Sequence, residues 1–396
     1  MGHVFSTRAR ITTLLPGEEI AVPAKDSRRA SRRRAEQIGV QGIADALGIS
    51  RGTVDRALHN RGGVNPRTKR RVLRAAQRLG YRPNLAARYL SSKRSLTIGI
   101  ALPLEVAFFY DDIREGIFEA ASVYEPLGVK ILHRTYKRFG EHEIDAVRDV
   151  LQEDIRGLVI SPAYPNRLRP YIDEAASRNI PVVCVATDAP ETKRLTTVSV
   201  DPLVCGALAG ELMGYFLHAG GNVVVFIGMH ATVDHEQKLR GFRSSLREFC
   251  PEGKIAAVVE THDEAMEAYQ KCRDILQQQQ PVAGIYVSTA NSMPVLRALE
   301  ELGLTGKVKV ICTDLFPALL SHIKSGAVAA TIHQRPREQG RAAFRTLVRY
   351  LTEGITPEPG ISLNPAVVMR SNLELFTVNG TSRSALVSQD AWGPGR

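Results

Sequence analysis

The side chains best suited to binding something are the lysines and arginines crowded at one end of the chain. Residues 1–95 carry 21 of them against six acidic residues, net +15, whereas the other 301 residues carry 31 against 35, net −4. A phosphate backbone rewards such a patch by releasing condensed counterions, so nucleic acid is the partner the charge indicates. A solvated basic face is the reading that charge alone leaves open. A second set of side chains follows apolar runs further along. Phe108, Phe109 and Tyr110 come after LTIGIALP, Ser161 after GLVIS, Asp188 after PVVCVA, and His235 and Glu236 after NVVVFIG. Asn291 follows GIYVS, Asp314 follows VKVICT and Gln334 follows VAATIH. Ligands of doubly wound sheets lie beyond the carboxyl ends of the strands. Aromatic rings stack on the C–H faces of a sugar while carboxylates and amides orient its hydroxyls, so a sugar or polyol is the ligand class these residues suit.

Other chemistries find no constellation. Cys184, Cys205, Cys250, Cys272 and Cys312 are odd in number and scattered, which reads as reduced, buried thiols in a cytoplasmic protein. His230, Asp234, His235 and Glu236 lack zinc spacing and read as a polar loop after a strand. No P-loop or GxGxxG fingerprint is present. GISRG matches a nucleophile elbow by letter, but it joins two helical segments, so Ser50 is no nucleophile. No catalytic residue, metal or cofactor is expected, and the chain does not read as an enzyme. No run approaches the roughly 18 apolar residues that span a bilayer. RRASRRR at 28–34 is followed by no hydrophobic stretch, so export is not expected.

The elements that must carry these residues are legible in outline. Ile43, Ala44 and Leu47, then Val54, Ala57 and Leu58, fall at helical spacing on two short segments separated by Gly48-Ile49. Gly48 can end the first helix in the left-handed conformation, and the Ser50 hydroxyl can cap the second. Asn65-Pro66 starts a third helix, which runs through Val72, Leu73, Ala76 and Leu79 and stops at Gly80. Pro83-Asn84 starts a weak fourth, LAARYLSS, with Leu90 as its large apolar side chain.

GISRGTVDRALHN, RVLRAAQRLGYRPN and the LAARYLSSKRSLTIGI junction together resemble the lac-repressor (LacI) family of bacterial transcription regulators. The resemblance implies a helix-turn-helix whose second helix enters the major groove, and a hinge helix that folds on operator DNA. By position it implies base-reading roles for Arg51, Gly52 and Arg56 and phosphate contacts for Ser50, Thr53 and Asn60. It makes Leu90 a wedge in the minor groove, in keeping with the way apolar side chains unstack and kink a duplex. Arginine can donate two bonds to guanine O6 and N7. Gly52 offers no side chain where many relatives present one. Asp55 can accept from cytosine N4 or pair with Arg51 four residues earlier.

Beyond Lys93, strand-like runs alternate with helical patterns, the signature of parallel sheets with crossover helices. The resemblance continues and implies a sugar-binding-protein-like module of two doubly wound lobes with a small molecule between them. It carries over an amide at Asn291, an aspartate at Asp314, a glutamine at Gln334 and aromatics at Phe108 and Phe109. In HEQKLRGF this chain has Glu236 and Lys238 where many relatives place arginines, which favours neutral polyols without excluding an anion.

The expected fold is therefore an N-terminal all-α helix-turn-helix domain at 38–82 followed by an α/β two-lobed domain at 96–378, with a hinge at 83–95 between them. Lobe one takes 96–202 and 335–356, and lobe two takes 203–334 and 357–378. Residues 1–37 read as a disordered basic extension and 379–396 as a disordered tail. The expected function is a repressor whose affinity for an approximately palindromic operator is controlled by a sugar or polyol, acting as a homodimer or tetramer. The alternatives are a solute-binding protein for sugar uptake, disfavoured by the missing signal peptide, and a sugar-modifying enzyme.

Overall fold

A computed structural model describes residues 39–58, 62–79, 96–104, 106–278 and 281–377. The expected N-terminal extension, Asn60, the Gly80 stop, the hinge with Leu90 and the C-terminal tail lie outside the described residues. Two compact units divide the chain, residues 1–82 and 83–396.

In the first unit, helices α1 (Val40–Leu47), α2 (Arg51–Leu58) and α3 (Pro66–Arg78) enclose Ile43, Ala44, Val54, Ala57, Val72, Ala75 and Ala76. Each boundary has a local cause. Gly48 takes φ 62° and ψ 37°, a left-handed conformation that only glycine adopts without cost, and it turns the chain between α1 and α2. Ser50 Oγ accepts from the Thr53 backbone N–H at 3.1 Å, and Asn65 accepts from Arg67 N–H at 2.8 Å. Both bonds occupy amides that a helix start leaves free. Leu73 departs from expectation: it is 45% exposed, and Ala75 is buried in its place. Residues 72, 75, 76 and 79 share a helical face, while 73 is rotated about 100° from 72.

The second unit holds two sheets. The first has strand order β11-β5-β4-β3-β1-β2, built from β1 (Leu96–Pro103), β2 (Val129–Tyr136), β3 (Gly157–Ile160), β4 (Val182–Val185), β5 (Thr196–Val200) and β11 (Gly360–Leu363), all parallel. The second has order β12-β10-β9-β8-β6-β7, from β6 (Gly221–Ile227), β7 (Gly253–Glu260), β8 (Val282–Val287), β9 (Lys309–Thr313), β10 (Ala330–His333) and β12 (Ala366–Val368). Only β12 in that sheet runs antiparallel, against β10. β1 and β6 are the points where strand order reverses, and their carboxyl ends are where such sheets bind ligands. The chain crosses between lobes after β5, between β10 and the helix at Pro336–Glu353, and between β11 and β12. β11 therefore belongs to the first sheet, which corrects the expectation that 357–378 lies wholly in lobe two. The β11 backbone completes the open edge of β5, and the crossing falls at Asn364-Pro365.

Two helices of lobe two matter most for the cleft. α7 (Pro202–Phe216) and α8 (Val233–Phe249 of the chain) pack through glycines, and a Cβ added at Gly206 would fall 1.9 Å from the carbonyl oxygen of Lys238. The same holds at Gly241, where a Cβ would meet the Leu203 carbonyl oxygen at 2.1 Å. Side chains at either position would push α8 outward, and Lys238 with it. Replacing Gly206 by alanine is expected to lower stability by about 1–3 kcal/mol through overpacking, seen as a fall in melting temperature of the natural chain. An unchanged melting temperature would show that α8 yields freely.

Candidate functional site

Between the lobes lies a small cavity of about 50 Å³, whose wall includes Phe109, Tyr110 and Phe139 from lobe one and Thr232, Asp234, His235, Lys238, Asp263 and Asp314 from lobe two. That is room for one or two waters at about 30 Å³ each, well below the roughly 300 Å³ of an ordinary ligand pocket. An adjoining space of about 280 Å³ shares Ala186, Thr187 and Asp234 with it. A sugar-sized molecule thus requires the lobes to part before it can enter the inner cavity.

Lys238 is the centre of its electrostatics. Its ammonium is buried, 2.8 Å from Asp234 Oδ2 and 3.4 Å from the Ser288 carbonyl oxygen. Burial pulls its pKa down, but Asp234 together with the weaker pull of Tyr286, Cys205 and Asp314 outweighs that effect and raises it above the lysine norm. Asp314 is buried too, and both carboxylate oxygens are occupied: Oδ1 accepts from the Gln334 backbone N–H at 3.0 Å and Oδ2 from Gln334 Nε2 at 2.7 Å. Burial pushes its carboxyl up to about 6, against the opposing pull of Lys238 and the Gln334 bonds. Tyr110 shares a 3.1 Å hydrogen bond with the Ser161 hydroxyl, and its pKa is raised by burial, so the phenol stays protonated. The His235 Nδ1 accepts from Met229 N–H at 2.9 Å, which places the proton of a neutral ring on Nε2.

The loops that present these groups are strained or fastened. Val106, Ala186, Asp263 and Asp314 all have φ between 53° and 69° without being glycine, and all four border the cavity. Such residues persist only where the surroundings impose them, and they cluster at binding sites. Glu143, buried, accepts from the Ala163 and Tyr164 amides at 3.0 and 3.1 Å, which pins the loop after β3. The Ala163 carbonyl in turn accepts from the Thr232 hydroxyl at 3.2 Å, a bond from one lobe to the other.

The structure brings Phe109, Lys238, Asp314 and Gln334 to one cavity and sets Ser161 behind Tyr110. It places the other expected ligand residues elsewhere. Phe108 is half exposed and stacks on Phe316 with ring centres 5.0 Å apart, because on a helix consecutive side chains diverge by about 100°. Asp188 is gripped by Arg194, whose Nη2 donates to Oδ2 at 2.7 Å, and it borders only the outer space. Glu236 is exposed and faces His230 at 3.2 Å, so Lys238 and not Glu236 points inward. Asn291 stands one residue past Thr289 and Ala290 of the wall, with a buried amide nitrogen that has no partner among the described residues. Asp234 and Asp263 were not anticipated as ligand residues. Asp263 follows the IAAVV strand, so the rule that collected the others also points to it.

In the first unit, Ser50 at the start of α2 and Arg51, Gly52 and Arg56 on it are exposed, with Thr53 and Asp55 partly so. The Ser50 and Thr53 hydroxyls lie 2.8 Å apart, and α3 adds exposed Arg67, Arg70, Arg71 and Arg74. Among the described residues no helix is long and apolar enough to cross a membrane, and no group of three or more His, Cys, Asp or Glu could hold a metal ion. All five cysteines are free and buried.

Residues 98–355 match the model described as a periplasmic binding protein domain, and residues 40–84 match that of bacterial regulatory proteins, lacI family. Catabolite control protein A of Priestia megaterium is 23% identical over 322 residues, 80% of this chain and 93% of that protein. The HTH-type transcriptional regulator DegA of Bacillus subtilis is 21% identical over 329 residues, 83% of this chain and 96% of that one. Among solved structures, a Burkholderia graminis transporter solute-binding protein in complex with D-arabinose superposes with a TM-score of 0.65 at 22% identity, over 70% of this chain and 96% of that one. A Bacillus halodurans solute-binding protein with bound myo-inositol gives 0.66 at 16% identity, over 72% and 98%. These two show the fold.

The Asp314 carboxyl gives the cleft a pH signature. Its folded pKa of about 6 lies above the ordinary aspartate value of 3.8, so the folded chain holds the proton that the unfolded chain has lost, and stability falls as pH rises from about 4 to 6. Asp314→Asn should remove that fall, up to about 3 kcal/mol. Melting curves of both chains between pH 4 and 7 decide it: parallel pH profiles would contradict the assignment.

Proposed function

The chain belongs to the lacI family of bacterial regulatory proteins and carries a periplasmic binding protein domain, and on that premise we propose that it is a sequence-specific transcriptional regulator. It acts as a repressor whose operator affinity is set by a small sugar or polyol held between the lobes. The observation that carries this reading is the union, in one chain, of a capped helix presenting Arg51 and Arg56 to solvent with two lobes that enclose a polar cavity. Its relatives catabolite control protein A and the transcriptional regulator DegA align with it along nearly their whole length.

The physics of the two sites supports it. Arg51 and Arg56 are five residues apart on α2 and both exposed, available to base edges in a groove while exposed α3 arginines neutralise phosphate. Two such helices, related by a two-fold axis, call for an approximately palindromic operator. Exposed apolar side chains on the second unit suit a homodimer: Phe118 and Val123 on one helix, and Val204, Tyr215 and Phe249 on α7 and α8. Ligand alters operator affinity only to the extent that it prefers one lobe arrangement over the other.

Replacing Arg56 by alanine should cost about 1–3 kcal/mol of operator affinity and relax base preference at one position. Gel shifts against a set of single-base operator variants, repeated at several salt concentrations, read this out. Equal weakening on every sequence, with a shallower salt dependence, would make Arg56 a phosphate contact instead. Loss of residues 1–95 should abolish duplex binding; retention would refute the regulator reading.

A further inference from the structure

The cavity between the lobes is rich in acceptors and poor in cations. Its wall holds three carboxylates, Asp234, Asp263 and Asp314, against one ammonium, Lys238. Lys238 takes Asp234 Oδ2, and Gln334 takes both oxygens of Asp314. Asp234 Oδ1 and Asp263 Oδ1 are fully buried and have no hydrogen-bond partner among the described residues.

Structural duties do not account for Asp263. The helix that follows it, Ala265–Leu276, is capped by Glu264, whose carboxylate accepts from Glu267 N–H at 2.7 Å. The backbone is nevertheless held in an unfavourable shape to present Asp263, since His262 and Asp263 both have positive φ, 49° and 53°. The turn is fastened from outside by His262, whose Nδ1 lies 3.0 Å from Glu267 Oε2. A carboxylate that is over nine-tenths buried, with one oxygen unpartnered and held in a strained turn at the wall of a cavity, calls for a donor from elsewhere.

We propose that the ligand of the cleft carries a positively charged nitrogen, as an aminated sugar or aminopolyol does, with its ammonium seated between Asp263 and the free oxygen of Asp234. This rests on the reading of the cleft as the effector site. Hydroxyl groups could satisfy the two oxygens, but they would leave the excess negative charge of a buried site uncompensated; an ammonium meets both needs. The excess survives even when Asp314, whose carboxyl sits near 6, is counted as neutral. Phe109, Tyr110 and Phe139 supply apolar and aromatic surface on the opposite wall, where C–H faces of a ring and the edge of a cation are both accommodated.

Matched probes test it on the full chain by titration calorimetry: D-glucosamine against D-glucose, D-galactosamine against D-galactose, and an aminoinositol against myo-inositol. In at least one pair the aminated member should bind about tenfold tighter or more, a difference of about 1.4 kcal/mol. Asp263→Asn should cancel that preference by weakening the aminated member about tenfold more than the neutral one. Equal or tighter binding of the neutral members, binding of no aminated probe, or equal loss of both members in Asp263→Asn would overturn the proposal. Should Asp263→Asn fail to fold, the paired comparison on the natural chain decides alone. A chain that binds duplex DNA yet shows no amine preference overturns only this assignment, whereas one that binds aminated probes but no duplex overturns only the regulator reading.

Discussion

A buried ammonium requires an anion beside it, and Lys238 is buried where the two lobes meet. Its partner, Asp234, stands one helical turn earlier on α8, so the helix itself delivers the pair at 2.8 Å. Breaking such a pair by removing one member costs about 3–5 kcal/mol, because the survivor is left charged in a poor solvent. Much of lobe two is arranged around that requirement. Glycines at 206 and 241 let α7 and α8 approach until backbone meets backbone, which fixes the height of Lys238 above the sheet. Asp314 lies within its field from the end of β9 and is held by Gln334, the residue that opens the crossing back to lobe one. A single electrostatic centre is thus tied to the sheet, the helix pair and the hinge.

The rim of the cleft is expensive to build. Four non-glycine residues in the left-handed region border it, and Glu143 is buried to hold the amides of Ala163 and Tyr164. Against these costs, the lobes are linked by one bond from Thr232 to Ala163, the stack of Phe108 on Phe316, and Met229 of lobe two packed into the core of lobe one. A balance of that kind suits two states of similar free energy, which a small ligand can tip by what it binds.

How much of this was legible from residue types follows from how local each signal is. The helix-turn-helix could be read almost completely because its punctuation is local: Gly48, Ser50 and Asn65 each do in space what their position suggests. Strands rich in Val and Ile declared themselves, but β5, with Thr196 and Thr197 inside, did not. Its Thr196 hydroxyl is buried against the Glu358 carbonyl, a partner more than 150 residues away. Lys238, Asp314 and Gln334 follow strand ends or a known pattern, so they could be named. Which of Phe108 and Phe109 faces the cavity depends on helix phase, and the position of Asp188 at the outer space goes with its pairing to Arg194, neither of which a spacing rule records. Asp263 falls under the same strand-end rule, but the turn of two left-handed residues that presents it is announced by no residue type.

The account stands or falls on one link, that the arrangement of the lobes governs the hold on DNA. Thr232 and Ala163 meet across the cleft, so cysteines placed at both positions and joined by a short thiol cross-linker lock the lobes together without any ligand. Affinity for a duplex selected from a random library is then measured before and after cross-linking. The account predicts a change of at least about fivefold, the lower range of allosteric coupling, reversed when a cleavable linker is cut. Equal affinity in the locked and free states would contradict it.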